Sequence, residues 1–254
     1  MYVSAMKAFP VLAAAVLLFA CADVSTNVAG ELTYAQDAKG NYAAGLKDLK
    51  DHDYTDAVAY FEYVRNKFPY SHFAPLAELA IADANFEQEK YTEASDGYKN
   101  FIKDHPTNPK VDYAGFRIAL AHYKDLPSDF FFIPPSYEKD QQQIVDTRDA
   151  LKDFLANYPD SGYVKEARKM MAEVRKRLAR HELYVARFYE NHGHPKAALW
   201  RYQGLARDYR DTPYAEEADR RSARLAAQLG RAGERPPVES QPSKPASEAP
   251  PSSP

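Results

Sequence analysis

Three histidines are the first side chains here whose spacing could do chemistry. His192-Gly193-His194, with His181 upstream, would offer imidazole nitrogens to a metal ion. Gly193 and Pro195 instead mark a turn between two helices, and no cysteine or convergent carboxylate set accompanies them. The chain has no Gly-rich phosphate loop, no G-x-S-x-G and no H-E-x-x-H. Catalysis therefore has no evident residues to carry it, and neither metal nor cofactor is expected. Lys and Arg number 33 against 36 Asp and Glu, a net charge of −3, so no overall basic excess would draw nucleic acid.

The single cysteine offers a different chemistry. Cys21 cannot form an internal disulfide. It directly follows the apolar run Val11 to Phe19, which is too short to span a bilayer and has the length of an export-signal core. Leu18-Phe19-Ala20-Cys21 is similar to a bacterial lipobox, in which the thiol takes a thioether-linked lipid and becomes the mature N-terminus. Phe19 stands where a small residue is usual. Ordinary cleavage at Ala20-Cys21-Ala22 is the alternative, with a soluble product. Ala22, not Asp, follows the cysteine, so the signal for inner-membrane retention is missing there.

The elements that must position any binding residues come from a repeat. Tyr54-x-x-Ala57…Phe61-x-x-Val64…Phe68-Pro69 returns as Tyr91-x-x-Ala94…Tyr98-x-x-Phe101…His105-Pro106, 37 residues on. A period of that size marks stacked helix pairs, because one pair cannot bury its own apolar face. With Phe68, His105, Tyr158 and Tyr209 as markers, the steps are 37, 53 and 51. Second helices carry Ala57, Ala94, Thr147 or Ala198 at the crossing, then Phe61, Tyr98, Leu151 or Tyr202 one turn on. First helices are expected to approach closely at Ala44-Gly45, Ile81-Ala82, Ile118-Ala119, Met171-Ala172 and Ser222-Ala223, through the small residue of each pair. The excess in the second step falls near Asp125 to Gln143, a Pro-containing loop with Phe130, Phe131 and Phe132 at its centre. The excess in the third falls within Gly162 to Asn191, which is free of Pro and rich in helix formers. It predicts a first helix about four turns longer than its peers. A fifth repeat starts near Ala215 and supplies one charged helix that caps the stack.

The domain reading is a signal peptide over 1–20, a tether over 21–33, a repeat domain over 34–230 and a disordered Pro/Ser-rich tail over 231–254. First helices of the early repeats should line a groove with Tyr42, Leu46, Leu79, Asp83, Phe86, Tyr113, Phe116, Leu120 and Tyr123. Such a lining suits an extended or amphipathic segment with aromatic side chains. The loop at Phe130 either forms an exposed binding patch or folds back, to plug the groove or to cover the core of the third repeat.

The repeat unit resembles the tetratricopeptide repeat, which implies an all-α, right-handed solenoid of about five helical hairpins with the last truncated. The whole arrangement over Tyr34 to Ala227 resembles the BamD (ComL) family, lipoproteins of the β-barrel assembly machine. The resemblance rests on Cys21, Asn66-Lys67-Phe68-Pro69-Tyr70, His105 to Tyr113, the aromatic loop, Arg175 to Tyr189 and Arg201 to Tyr209. It implies a non-enzymatic role at the periplasmic face of the outer membrane, held there by lipid on Cys21. The partners implied are the periplasmic domains of a barrel insertase and unfolded barrel substrates, with Arg201, Tyr202 and Arg207 in the segment that meets the insertase. A different periplasmic adaptor, serving cell-wall or envelope complexes, is the alternative. The single-helix fifth repeat and long tail depart from the family's fuller end.

Overall fold

Helices of three or four turns are marginal alone, so each depends on how closely its apolar stripe meets a neighbour's. The computed structural model describes residues 32–127 and 141–233. Among the described residues there are nine helices and no strand. Helix α1 (Ala38–Lys50) pairs with α2 (Tyr54–Lys67), α3 (Phe73–Glu87) with α4 (Tyr91–Asp104), and α5 (Val111–Lys124) with α6 (Gln142–Asn157). Helix α7 (Val164–Asn191) pairs with α8 (Pro195–Asp208), and α9 (Ala215–Gly233) follows singly. Each helix packs on the next in chain order, while α1 with α3 and α5 with α7 join hairpin to hairpin. Among the described residues the expected stack of helical hairpins forms, with α9 single at its end. The signal segment, Cys21, the loop at Phe130, Phe131 and Phe132, and the chain beyond residue 233 lie outside the described residues.

The second-helix register holds throughout. Ala57, Ala94, Thr147 and Ala198 are all 0% exposed, as are Phe61, Tyr98, Leu151 and Tyr202 one turn on. A small residue beside a large one lets two backbones approach while the large side chain fills the space between them. Thr147 keeps the site satisfied by donating its hydroxyl to the Gln143 carbonyl at 2.7 Å and lying 3.1 Å from that of His122.

The first-helix register needs correction. Gly45, Ala82 and Ala119 are buried as expected, but Ala172 and Ala223 are exposed. The position buried in every later first helix comes earlier, at Ala77, Ala114, Ala167 and Ala218, each 0% exposed. Ala223 is bare because, among the described residues, no second helix lies beside α9. Ala172 is bare because α7 outruns its partner.

That length difference organises the C-terminal half. Helix α7 has 28 residues and α8 has 14, about 42 Å against about 21 Å. The early half of α7 sends Ala167, Met170, Val174 and Leu178 into a core with Phe116, Leu151 and Phe154. Its late half sends Leu183 and Ala186 into another with Ala198, Tyr202, Leu205 and Leu225. One rod therefore serves two cores. Helix α9 is tied to it by Arg187–Glu217 at 2.7 Å, Arg221–Glu190 at 2.8 Å and an Arg224–Glu190 pair. Burial pushes the Glu190 carboxyl up, but hydrogen bonds from Tyr202 and Arg221 outweigh it and hold the group below the usual glutamate range.

Two glycines test this packing with opposite signs. A Cβ on Gly45 would lie 2.7 Å from a carbon of the buried Phe61 ring, whereas one on Gly204 would meet nothing within 4 Å. Gly45→Ala should destabilise by about 1–3 kcal/mol, because overpacking exceeds the helix-propensity gain of at most about 1 kcal/mol. Gly204→Ala should gain most of that propensity term. Urea melts of both variants check the pair, and shifts of the same sign contradict the packing described.

Candidate functional site

Charge enters the stack first between α3, α4 and α5. Asp83 of α3 accepts hydrogen bonds on Oδ1 from the hydroxyls of Tyr98 (2.6 Å) and Tyr113 (2.7 Å). Arg117 of α5 donates from Nε to the Tyr98 hydroxyl at 2.9 Å, and its Nη2 lies 3.4 Å from both Asp83 and Glu87. Its guanidinium carbon sits 3.7 Å from the centroid of the Phe86 ring, a cation–π contact. Burial raises the Asp83 carboxyl, against the pull of Tyr98, Arg117 and Tyr113. Burial, and then the Asp83 charge, push both phenols up. The phenols therefore stay protonated and act as donors.

The same device recurs at the other end. Tyr202 of α8 donates to Glu190 of α7 at 2.7 Å, and Arg221 of α9 donates to the same carboxylate. Burial and Glu190 push the Tyr202 phenol up to about 12. Tyr98 and Tyr202 occupy one repeat position, and Arg117 and Arg221 another, each counted from its marker. In the other hairpins the first position holds Phe61 or Leu151, and the second holds Ala80 or Met170, all buried. A buried tyrosine thus comes with an arginine on the next first helix, and an apolar residue with an apolar one. The triad is an inter-hairpin tie, and Asp83 is a satisfied carboxylate within it.

The expected groove residues sort accordingly. Leu79, Phe86 and Phe116 are buried and belong to the hairpin cores. Tyr42, Tyr113, Leu120 and Tyr123 are partly buried, and Leu46 is exposed. Asp83, Phe86 and Tyr113 are brought together around Arg117. Tyr42 packs instead on Phe61 and Phe73, with ring centroids 5.6 and 5.3 Å away. Phe116 stacks on Tyr163 at 4.6 Å. The set is divided among three hairpin cores and the partly exposed positions packed against them.

Arg201 and Arg207 meet around one depression of about 200 Å³ with Glu182, Trp200, Gly204, Asp208 and Tyr209. Arg201 Nη1 lies 3.1 Å from Glu182, and its guanidinium carbon is 5.3 Å from the Trp200 ring centroid. Arg207 grips Asp208 with two bonds, at 2.8 and 2.9 Å. Tyr202, expected to face a partner, is 0% exposed, so its ring offers no contact surface. Trp200 is 68% exposed and was missed. Its signal was available: it is the chain's one tryptophan, two residues past Ala198 and so off the buried stripe. His181, His192 and His194 do not assemble, for among the described residues no group of His, Cys, Asp and Glu could hold a metal ion. No described helix is long and apolar enough to cross a membrane.

Stacked helical hairpins, tied by buried tyrosine–carboxylate–arginine contacts and carrying an exposed tryptophan among arginine forks, define a repeat-scaffold protein. The chain belongs to the YfiO family of outer membrane lipoproteins, whose model matches residues 34–234. It is 28% identical over 180 residues to the outer membrane protein assembly factor BamD of Pasteurella multocida, covering 70% of this chain and 69% of that one. The BamD of Haemophilus influenzae is 27% identical, covering 82% of this chain and 78% of its own. That of Caulobacter vibrioides is 27% identical over 70% of this chain but 55% of its own length.

The triad at Asp83 yields a pH-dependent outcome. Arg117→Leu leaves a largely buried carboxylate without its counter-ion and should destabilise by about 2–3 kcal/mol at neutral pH. Its loss removes a contact that lowered the Asp83 pKa, so the folded value rises further above the unfolded one. For a carboxyl shifted upward, stability falls as pH rises through its titration. The difference between variant and wild type should therefore shrink as pH drops toward the usual carboxylate range, where Asp83 protonates. Urea unfolding at both pH values reads it. A pH-independent penalty means Arg117 acts only through packing.

Proposed function

We propose that the chain is a non-catalytic lipoprotein of the outer-membrane β-barrel assembly machinery, docked on the barrel insertase and helping to recruit unfolded barrel proteins. The observation that carries the reading is the family match across the whole repeat domain, joined to relatives named as assembly factors. On this reading lipid on Cys21 anchors the N-terminus in the outer membrane, and the scaffold lies on the periplasmic side. The repeat domain covers 34–230, and the flanking 21–33 and 231–254 serve as tether and tail.

The insertase contact falls on the depression at Arg201. Arg201 has one terminal nitrogen on Glu182, which leaves further donors of its planar fork for a partner carboxylate. Trp200 supplies apolar area beside it, the pairing of aromatic and arginine that dominates interface energetics. Arg207 orients the rim. Leu46, Tyr42, Tyr113, Leu120 and Tyr123 offer the surface for an extended barrel segment, with Leu79, Phe86, Phe116 and the Asp83 tie in the hairpin cores. Phe130, Phe131 and Phe132 add an apolar segment to that role.

Purification of the full chain in detergent should bring an outer-membrane barrel insertase with it. The double change Trp200→Ala and Arg201→Ala should reduce that recovery about tenfold or more with little change in melting temperature, because Trp200 is exposed and the partly exposed Arg201 gives up one solvent-accessible ion pair, worth about 0–1 kcal/mol. Undiminished recovery rejects this face as the contact, and absence of any barrel protein from the wild-type preparation rejects the function. Anchoring is tested separately: Cys21→Ser should move the protein from the membrane fraction to the soluble periplasmic fraction, and unchanged fractionation rules out the lipid anchor.

A further inference from the structure

Helix α8 runs back along α7 and ends before α7 does. Its C-terminal end is clamped by Arg175 of α7, which donates from Nε to Asp211 at 2.7 Å and from Nη2 to the Asp208 carbonyl at 2.7 Å. Upstream of Arg175 the same helix carries Lys165, Arg168 and Lys169, all exposed. None of the three has a hydrogen bond or ion pair among the described residues. Lys176, farther along, stands 4.0 Å from Glu173. Arg168 precedes Arg175 by two helical turns and lies on the same face. The three cations border a shallow depression floored by Ser161, Gly162, Val164 and Ala172.

We propose that this half-face of α7 is a docking surface for an acidic segment of a partner polypeptide, lying along α7 as a continuation of α8. Arg168, Lys165 and Lys169 receive its carboxylates as Arg175 receives Asp211. Two observations support that occupant. Lys165, Arg168 and Lys169 stand without an ion-pair partner on one face of α7, with Glu166 and Glu173 at its flank, in a chain whose net charge is −3, so the attraction is local and selects for negative groups. The surface also continues an interface the protein already makes with its own carboxylate, in matching register. The shape favours a polypeptide over a planar membrane. The cations border a depression that runs about 12 Å along α7 from Val164 to Ala172, and its small residues Gly162 and Ala172 admit a backbone. The proposal stands independently of docking through Trp200 and Arg201.

The test uses the full chain and a fluorescent peptide of about 16 residues, long enough to span about 24 Å as a helix, built from Glu and Ala, with a Gln-for-Glu counterpart. At about 50 mM salt, where screening is modest, the acidic peptide should bind measurably by fluorescence anisotropy and the neutral one should not. The triple variant Lys165→Glu, Arg168→Glu and Lys169→Glu should weaken binding about tenfold or more. Lys39→Glu, Lys67→Glu and Lys103→Glu, exposed and elsewhere on the fold, change net charge equally and should retain wild-type binding. Circular dichroism melts establish that both variants fold. Equal loss in the two variants reduces the effect to bulk charge and overturns the site. Failure of the wild type to bind the acidic peptide, or equal binding of the neutral one, also overturns it. So does a triple variant that keeps the peptide yet loses vesicles containing phosphatidylglycerol, which would assign the patch to lipid.

Discussion

Close approach of paired helices is the constraint on which the rest of the structure depends. At each crossing an alanine or threonine (Ala57, Ala94, Thr147, Ala198) lies beside a large residue one turn on, and both are fully buried. Any larger side chain at the small position would push the pair apart and open a gap around its neighbour, losing dispersion contacts on every side. The large position then decides how hairpins join. Where it is Phe61 or Leu151, the next first helix answers with Ala80 or Met170, and the joint is apolar. Where it is Tyr98 or Tyr202, the buried hydroxyl needs an acceptor, and a carboxylate and an arginine follow. The polar ties thus originate in the choice of tyrosine at one position of the repeat.

Surfaces that can hold a partner arise where the repeat is broken. Regular hairpins bury their alanines and aromatics and turn solvated side chains outward. The long α7 breaks that pattern twice: its late half carries α8 with Trp200 and Arg201, and its early half is left with unpaired cations. Because α7 contributes to two cores, both surfaces depend on it: its early half bears the cations, and its late half packs the α8 that presents Trp200 and Arg201.

How much of this was legible in the sequence follows from the same physics. Periodicity reports which stripe of a helix is buried. Hence the hairpins, the second-helix crossings and the extra turns of α7 were readable from Ala57, Phe61 and their repeats. Periodicity does not report what lies against the stripe. Ala172 and Ala223 have the right spacing, yet among the described residues their faces have no neighbour, one because α8 is short and the other because α9 is the last described helix. Tyr202 carried the expectation of a partner contact because it sits beside Arg201, although its position matches the buried Tyr98. Arg117 and Arg221 went unread because their role appears only when the same repeat position is compared across hairpins.

The arginines of the Trp200 face are already paired in the free protein, which limits what they can add to a complex. A partner carboxylate reaching Arg201 competes with Glu182, and one reaching Arg207 competes with Asp208, so each contact exchanges one charge pair for another. Exposed pairs of this kind are individually worth about 0–1 kcal/mol, and exchange between them yields less still. Affinity must then come mainly from apolar area withdrawn from water, for which Trp200 is the large exposed side chain beside the arginines. The arginine forks contribute direction, because a planar guanidinium accepts a carboxylate in few orientations. The unpaired cations of the early half of α7 have no such internal competitor, and a carboxylate arriving there displaces only water and ions.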